Sequence, residues 1–153
     1  MENQVVESHI TAINPQNRKR ILIVEDDLFL ATIVRRAIQD VHKDSQIDWA
    51  ISLDEALHKV IQGIDNLKES PYEFVVADVI LEGRGTGLDF WKVLKQTYPQ
   101  VPLMVISSLT EDELEKAIAP HQLEKPPHLQ KPFTMKALKK SLKENFLNDK
   151  PCS

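Results

Sequence analysis

The sequence predicts an α/β domain built on a doubly wound, five-stranded parallel sheet flanked by five helices. Three observations carry this. Short apolar runs at 21–24, 74–77 and 103–106 show no polar alternation, the pattern of strands buried on both faces. Stretches with apolar residues at helical spacing separate the runs. The run at 74–77 ends on Asp78, and a carboxylate inside a buried strand would cost several kcal/mol, roughly, in lost hydration. Asp78 therefore belongs at the strand's carboxyl end, where open α/β sheets present their crevice.

Taken in order, residues 1–19 lack periodicity and contain Asn14-Pro15, which predicts a flexible arm. The basic cluster Arg18-Lys19-Arg20 reads as a solvated approach to the first strand. That strand runs straight into Glu25-Asp26-Asp27, and Leu30, Ile33, Val34, Ala37, Ile38 and Val41 then mark one stripe of a helix. Ile47, Trp49 and Ile51 alternate with polar or small residues, as in a half-buried edge strand. Ser52 and Glu55 form a capping-box pattern ahead of a stripe from Leu53 to Leu67. After Asp78, a turn holds three of the four glycines but lacks both common phosphate-loop spacings, so it reads as a turn. Leu88, Trp91, Leu94 and Tyr98 mark the third helix, and 103–106 is a buried strand ending on Ser107-Ser108. Thr110 and Glu113 form a second capping box for a short fourth helix, stopped by Pro120. A fifth strand leads through His128 to Lys131, and Thr134 caps a last helix with the stripe Met135, Leu138, Leu142 and Phe146. Right-handed crossovers leave few topologies, and the flavodoxin-like strand order 2-1-3-4-5 is the natural one.

Composition narrows the function. A net charge of −4 speaks against direct nucleic-acid binding. The single cysteine, Cys152, has no internal partner, which with the absence of a leader or spanning segment leads us to expect a cytoplasmic protein without membrane insertion.

In that strand order Glu25, Asp26 and Asp78 meet at one edge. Clustered carboxylates repel unless a cation joins them, and oxygen-only ligands suit Mg²⁺. Ser107 and Lys131, at the ends of strands four and five, supply a hydroxyl and a positive charge that suit phosphoryl oxygens. Taken singly, Ser107 is an ordinary strand end and Lys131 an ordinary surface lysine.

The motifs Ile23-Val24-Glu25-Asp26-Asp27, Val75-Val76-Ala77-Asp78, Met104-Val105-Ile106-Ser107-Ser108 and Lys131-Pro132-Phe133 resemble those of response-regulator receiver domains of two-component signalling. The resemblance implies a receiver over 20–147 with a tail at 148–153. It implies that Asp78 is the phosphoacceptor, Asp26 a direct metal ligand, Glu25 a ligand through water and the Ile80 carbonyl a further ligand. Ser107 would bind the phosphoryl group, Lys131 would pair with it, and Lys131-Pro132 is a candidate cis peptide. His128 falls at the family's aromatic switch position, and is either that switch or a partly buried strand histidine. Gly87 stands one residue further from Asp78 than the family's usual glycine.

The function implied is a stand-alone phosphoacceptor in a phosphorelay. A sensor histidine kinase or phosphotransfer protein would donate to Asp78 with Mg²⁺, and an unidentified downstream protein would read the change. Such a protein is not an enzyme beyond its own phosphorylation and slow dephosphorylation. The alternative is a receiver-fold interaction module not controlled by phosphorylation. An aspartate-nucleophile phosphatase would carry Asp-x-Asp after strand one, where this chain has Glu25-Asp26-Asp27. Lys136, Lys139, Lys140 and Lys143 line one side of the last helix, either as a solvated face or as a partner-binding one.

Overall fold

The computed structural model describes residues 18–62, 70–79 and 86–146. Strands β1 (Arg20–Val24), β2 (Gln46–Ala50), β3 (Phe74–Ala77), β4 (Leu103–Ser107) and β5 (His128–Gln130) alternate with helices α1 (Leu28–Val41), α2 (Leu53–Ile61), α3 (Gly87–Thr97), α4 (Glu111–Ile118) and α5 (Met135–Asn145). All strands are parallel, in the order β2-β1-β3-β4-β5. The expected sheet and its five helices are therefore present. No helix among the described residues is long and apolar enough to cross a membrane.

Alternation along the strands splits the core into two layers. Ile21, Ile23, Phe74, Val76, Met104 and Ile106 pack under α1 and α5. Leu22, Val24, Val75, Ala77, Leu103 and Val105 pack under α2, α3 and α4. The three central strands have both faces covered, which is why their sequences show no polar alternation.

The structure corrects several local expectations. Ser52 caps α2 through the Glu55 amide, but the Glu55 carboxylate reaches the Ile51 amide at 3.0 Å, so the capping box is displaced by one residue. Ile51 is 52% exposed and lies beyond β2. Met135 opens α5 on its exposed side, leaving Leu138 and Leu142 as its buried stripe. Phe146 stacks on Phe74 at 4.8 Å. Asp27, exposed at the start of α1, caps that helix by accepting from the Phe29 and Leu30 amides. A full capping box of Thr86 and Asp89 opens α3. The arm up to residue 17, the α2 stripe positions Ile64 and Leu67, the glycines before Gly87, and the tail from 147 lie outside the described residues.

Candidate functional site

The crevice forms because several strands stop together. Val24 pairs with Ala77, the last residue of β3, so the residues that follow each of them are neighbours. The Asp78 amide continues the ladder to the Val24 carbonyl at 2.9 Å, and the Glu25 amide reaches the Ala50 carbonyl at 3.0 Å. On the far side the Lys131 amide bonds the Ser107 carbonyl at 2.8 Å. Main-chain pairing thus delivers Glu25, Asp78, Ser107 and Lys131 to one edge.

Glu25, Asp26 and Asp78 each present a carboxylate oxygen, and these lie within 4.8 Å of one another. Glu25 and Asp78 are 4% and 6% exposed. Lys131 Nζ bridges them, at 2.8 Å from Asp78 Oδ2 and 3.3 Å from Glu25 Oε2. Burial pushes the Glu25 carboxyl up to about 7; the Asp27 amide, donating to it at 3.1 Å, and Lys131 pull down, while Asp78 adds to the rise. Burial works to lower the Lys131 pKa, but the bonds and charges of Asp78 and Glu25 outweigh it, so the ammonium is held above its ordinary range. An all-oxygen set of three carboxylates within 4.8 Å of one another fits a hard divalent cation such as Mg²⁺. The Ile80 carbonyl, expected as a further ligand, lies outside the described residues.

Two supports of this corner have roles that the sequence does not show. Trp49, read as part of an edge strand, donates its indole N–H to the Glu25 carbonyl at 2.6 Å. Gly87 lies so close under β3 that a Cβ there would collide with the Asp78 carbonyl and the Val79 Cα. Its amide bonds the Val79 carbonyl at 2.9 Å. The displaced glycine of the sequence is thus the residue over which the Asp78 backbone passes.

On the other side, Ser107 is fully buried at the end of β4. His128, in β5, is half-buried as a residue, but its side chain turns inward: it is 1% exposed and its Nε2 lies 3.1 Å from Ser107 Oγ. Glu111, the first residue of α4, faces the second ring nitrogen at 3.0 Å. Sequence spacing could not have shown this, because the contact joins α4 to β5 across 17 positions. The Lys131–Pro132 peptide is cis.

Comparison with known proteins follows the same lines. A family model described as the response regulator receiver domain matches residues 21–143. A search of curated proteins found no match. Solved structures share the fold at low identity. The chemotaxis response regulator CheY4 of Vibrio cholerae is 22% identical, with 83% of this chain and 98% of that one covered and a TM-score of 0.61. The non-phosphorylated HemR receiver domain of Leptospira biflexa is 24% identical, with 82% and 92% covered and a TM-score of 0.63. A response regulator receiver protein from Sinorhizobium medicae is 19% identical, with 84% and 94% covered and a TM-score of 0.68. With a five-stranded sheet of order 2-1-3-4-5 and a family match spanning most of its length, this chain belongs to the response regulator receiver domains of two-component systems.

Proposed function

We propose that Asp78 accepts a phosphoryl group from the phosphohistidine of a histidine kinase or phosphotransfer protein, and that the phosphorylated form binds a downstream protein differently. The observation that carries this reading is the Lys131 ammonium set 2.8 Å from Asp78 Oδ2 beside a second buried carboxylate. In the transfer, an Asp78 oxygen forms a bond to phosphorus as the phosphorus–nitrogen bond of the donor breaks, and the imidazole leaves with that electron pair. The product is an acyl phosphate. Asp26 and Asp78 would hold Mg²⁺ directly, Glu25 through water, with the Ile80 carbonyl as a further ligand. The ion supplies positive charge to the phosphoryl oxygens. Lys131 supplies a second positive charge from the β5 side, and Ser107 a hydroxyl.

Exposed apolar side chains beside the crevice suit the approach of a donor protein. Leu28 and Phe29, at the start of α1, are 63% and 75% exposed. A groove lined by Phe29, Ile33, Lys131, Pro132 and Phe133 continues from them. The protein acts in this reading as a signalling partner rather than an enzyme, in the cytoplasm where its donor's phosphohistidine is made.

Intact mass after incubation with Mg²⁺ and acetyl phosphate tests the reading. One added phosphoryl group, absent without Mg²⁺ and absent in Asp78→Asn, is the expected result. An unmodified wild type would leave the fold as an interaction module, and phosphate mapped to a serine would refute Asp78.

A further inference from the structure

Ser107 sits at the end of a chain of side chains that begins on the surface of α4. Lys125 pairs with Glu111 Oε2 and, at 3.0 Å, with Glu115 Oε1. Glu111 Oε1 lies 3.0 Å from His128 Nδ1, and His128 Nε2 lies 3.1 Å from Ser107 Oγ. The ring between them is 1% exposed. The chain therefore links a solvated carboxylate to a buried hydroxyl through one imidazole.

The direction of each bond follows from what each group can do. A carboxylate only accepts. The Lys125 bond holds the Glu111 carboxyl below its usual range, burial opposing, with His128 adding to the lowering. His128 Nδ1 must then carry a hydrogen, and in a neutral imidazole the other nitrogen is an acceptor. With the ring in that neutral form, Ser107 donates to it. The Ser107 oxygen meanwhile accepts the Leu109 amide at 3.3 Å. The single hydroxyl hydrogen is thus committed to His128, whereas a dianionic phosphoryl group on Asp78 would require that same hydrogen.

We infer that Glu111 and His128 are positioning residues that hold the Ser107 hydroxyl hydrogen away from Asp78, so that a phosphoryl group must win it from His128 Nε2. This rests on the phosphoacceptor reading of Asp78. It makes the resting form a closed relay and places its release under the control of α4, through Glu111.

The test uses Mg²⁺ with beryllofluoride, an acceptor-only mimic of the phosphoryl group, and nitrogen NMR of the histidine rings. In the wild type, His128 should show a protonated Nδ1 and a bare Nε2. Removing the competing acceptor in His128→Phe should tighten beryllofluoride binding about fivefold, the equivalent of one net hydrogen bond. In a Ser107→Ala background the same substitution should change nothing, because the hydrogen in contest is gone. Glu111→Gln, a change at a half-exposed position that leaves the core untouched, should shift the ring toward its other tautomer and tighten binding by a smaller factor. A ring protonated at both nitrogens overturns the inference. So does an effect of His128→Phe that persists without Ser107, or a Glu111→Gln variant with unchanged ring shifts and affinity. A wild type that binds no beryllofluoride sinks the phosphoacceptor reading and the inference together, while binding without coupling sinks only the inference.

Discussion

Main-chain pairing brings both halves of the crevice to one edge, but the functional groups on the two sides are anchored by different kinds of bond. On the β1–β3 side, main chain does the positioning: the Val24 and Ala50 carbonyls take the Asp78 and Glu25 amides, and Gly87 lets α3 approach the Asp78 backbone. On the β4–β5 side, the terminal contacts of Ser107 run through side chains, from His128 to Glu111 to Lys125. Backbone pairs at strand ends can be broken only by moving strands, whereas a side-chain relay rearranges by rotation of single bonds. The difference suits the division of labour proposed here. A nucleophile and metal ligands must stay fixed, and the group that responds to their modification must move.

The largest expected effect comes from the fixed side. Gly87→Ala puts a methyl group into the Asp78 carbonyl, and the obstruction is backbone, which cannot rotate away. The helix or the strand end has to shift, at a cost of about 3 kcal/mol. Urea denaturation should show that loss, and phosphorylation by acetyl phosphate should slow with it. Unchanged stability would mean that the Asp78 backbone is as adaptable as the Ser107 relay, and the contrast between the halves would fail.

A second effect, of comparable size, separates the halves by pH. Glu25 in the metal-free fold titrates at about 7 against 4.5 unfolded, mainly because it is buried. Below about pH 4.5 both states are protonated and the group contributes nothing. As pH rises from 4.5 to 7 the unfolded chain loses the proton and the folded one retains it, so stability falls, and the loss is complete above 7. The full cost is on the order of 3 kcal/mol. In chelator, Glu25→Gln should flatten the slope of unfolding free energy between pH 5 and pH 8. Ser107→Ala, which removes no ionisable group, should leave that slope as it is. Equal slopes in wild type and Glu25→Gln would show that Glu25 is as well solvated as a surface carboxylate.

The same contrast explains what was legible in the sequence. Strand-end positions were readable because a carboxylate cannot be buried mid-strand, so Asp78 and the Glu25-Asp26 pair mark the ends of β3 and β1 by their chemistry alone. Helix starts were readable where a hydroxyl and a carboxylate stand three apart, as at Thr110 and Glu113, whose capping box is complete. Contacts across the fold were not. Glu111 stood in no motif of its own, because its meeting with His128 depends on how α4 lies over β5, and nothing local encodes that. Trp49 had the burial pattern of an edge strand, and burial says nothing about where an indole N–H points. Gly87 was visible as a displaced glycine, but only the path of α3 under the Asp78 carbonyl gives the displacement a reason.

The smallest effect is expected at Trp49, and it bears on how far the fixed side extends. Its indole N–H bonds the carbonyl of the peptide joining Glu25 to Asp26, at 2.6 Å, while the Ala50 carbonyl holds the amide of Glu25. Two consecutive residues of β2 therefore clamp Glu25 from both sides, and the orientation of the peptide leading to Asp26 depends on the indole. Trp49→Phe keeps most of the ring and loses the donor. A neutral hydrogen bond of this kind contributes about 1 kcal/mol net, so Mg²⁺ affinity should fall about fivefold by calorimetry. The competing account is that Trp49 only packs. It lines a small cavity with Ile23, Leu28 and Ile47, and Ile47→Val thins the same patch without touching a donor. That control should lower stability by about 1 kcal/mol and leave Mg²⁺ affinity alone. If Trp49→Phe behaves like Ile47→Val in both measurements, the acid pair is positioned by β1 and β3 alone, and the edge strand contributes packing but no alignment.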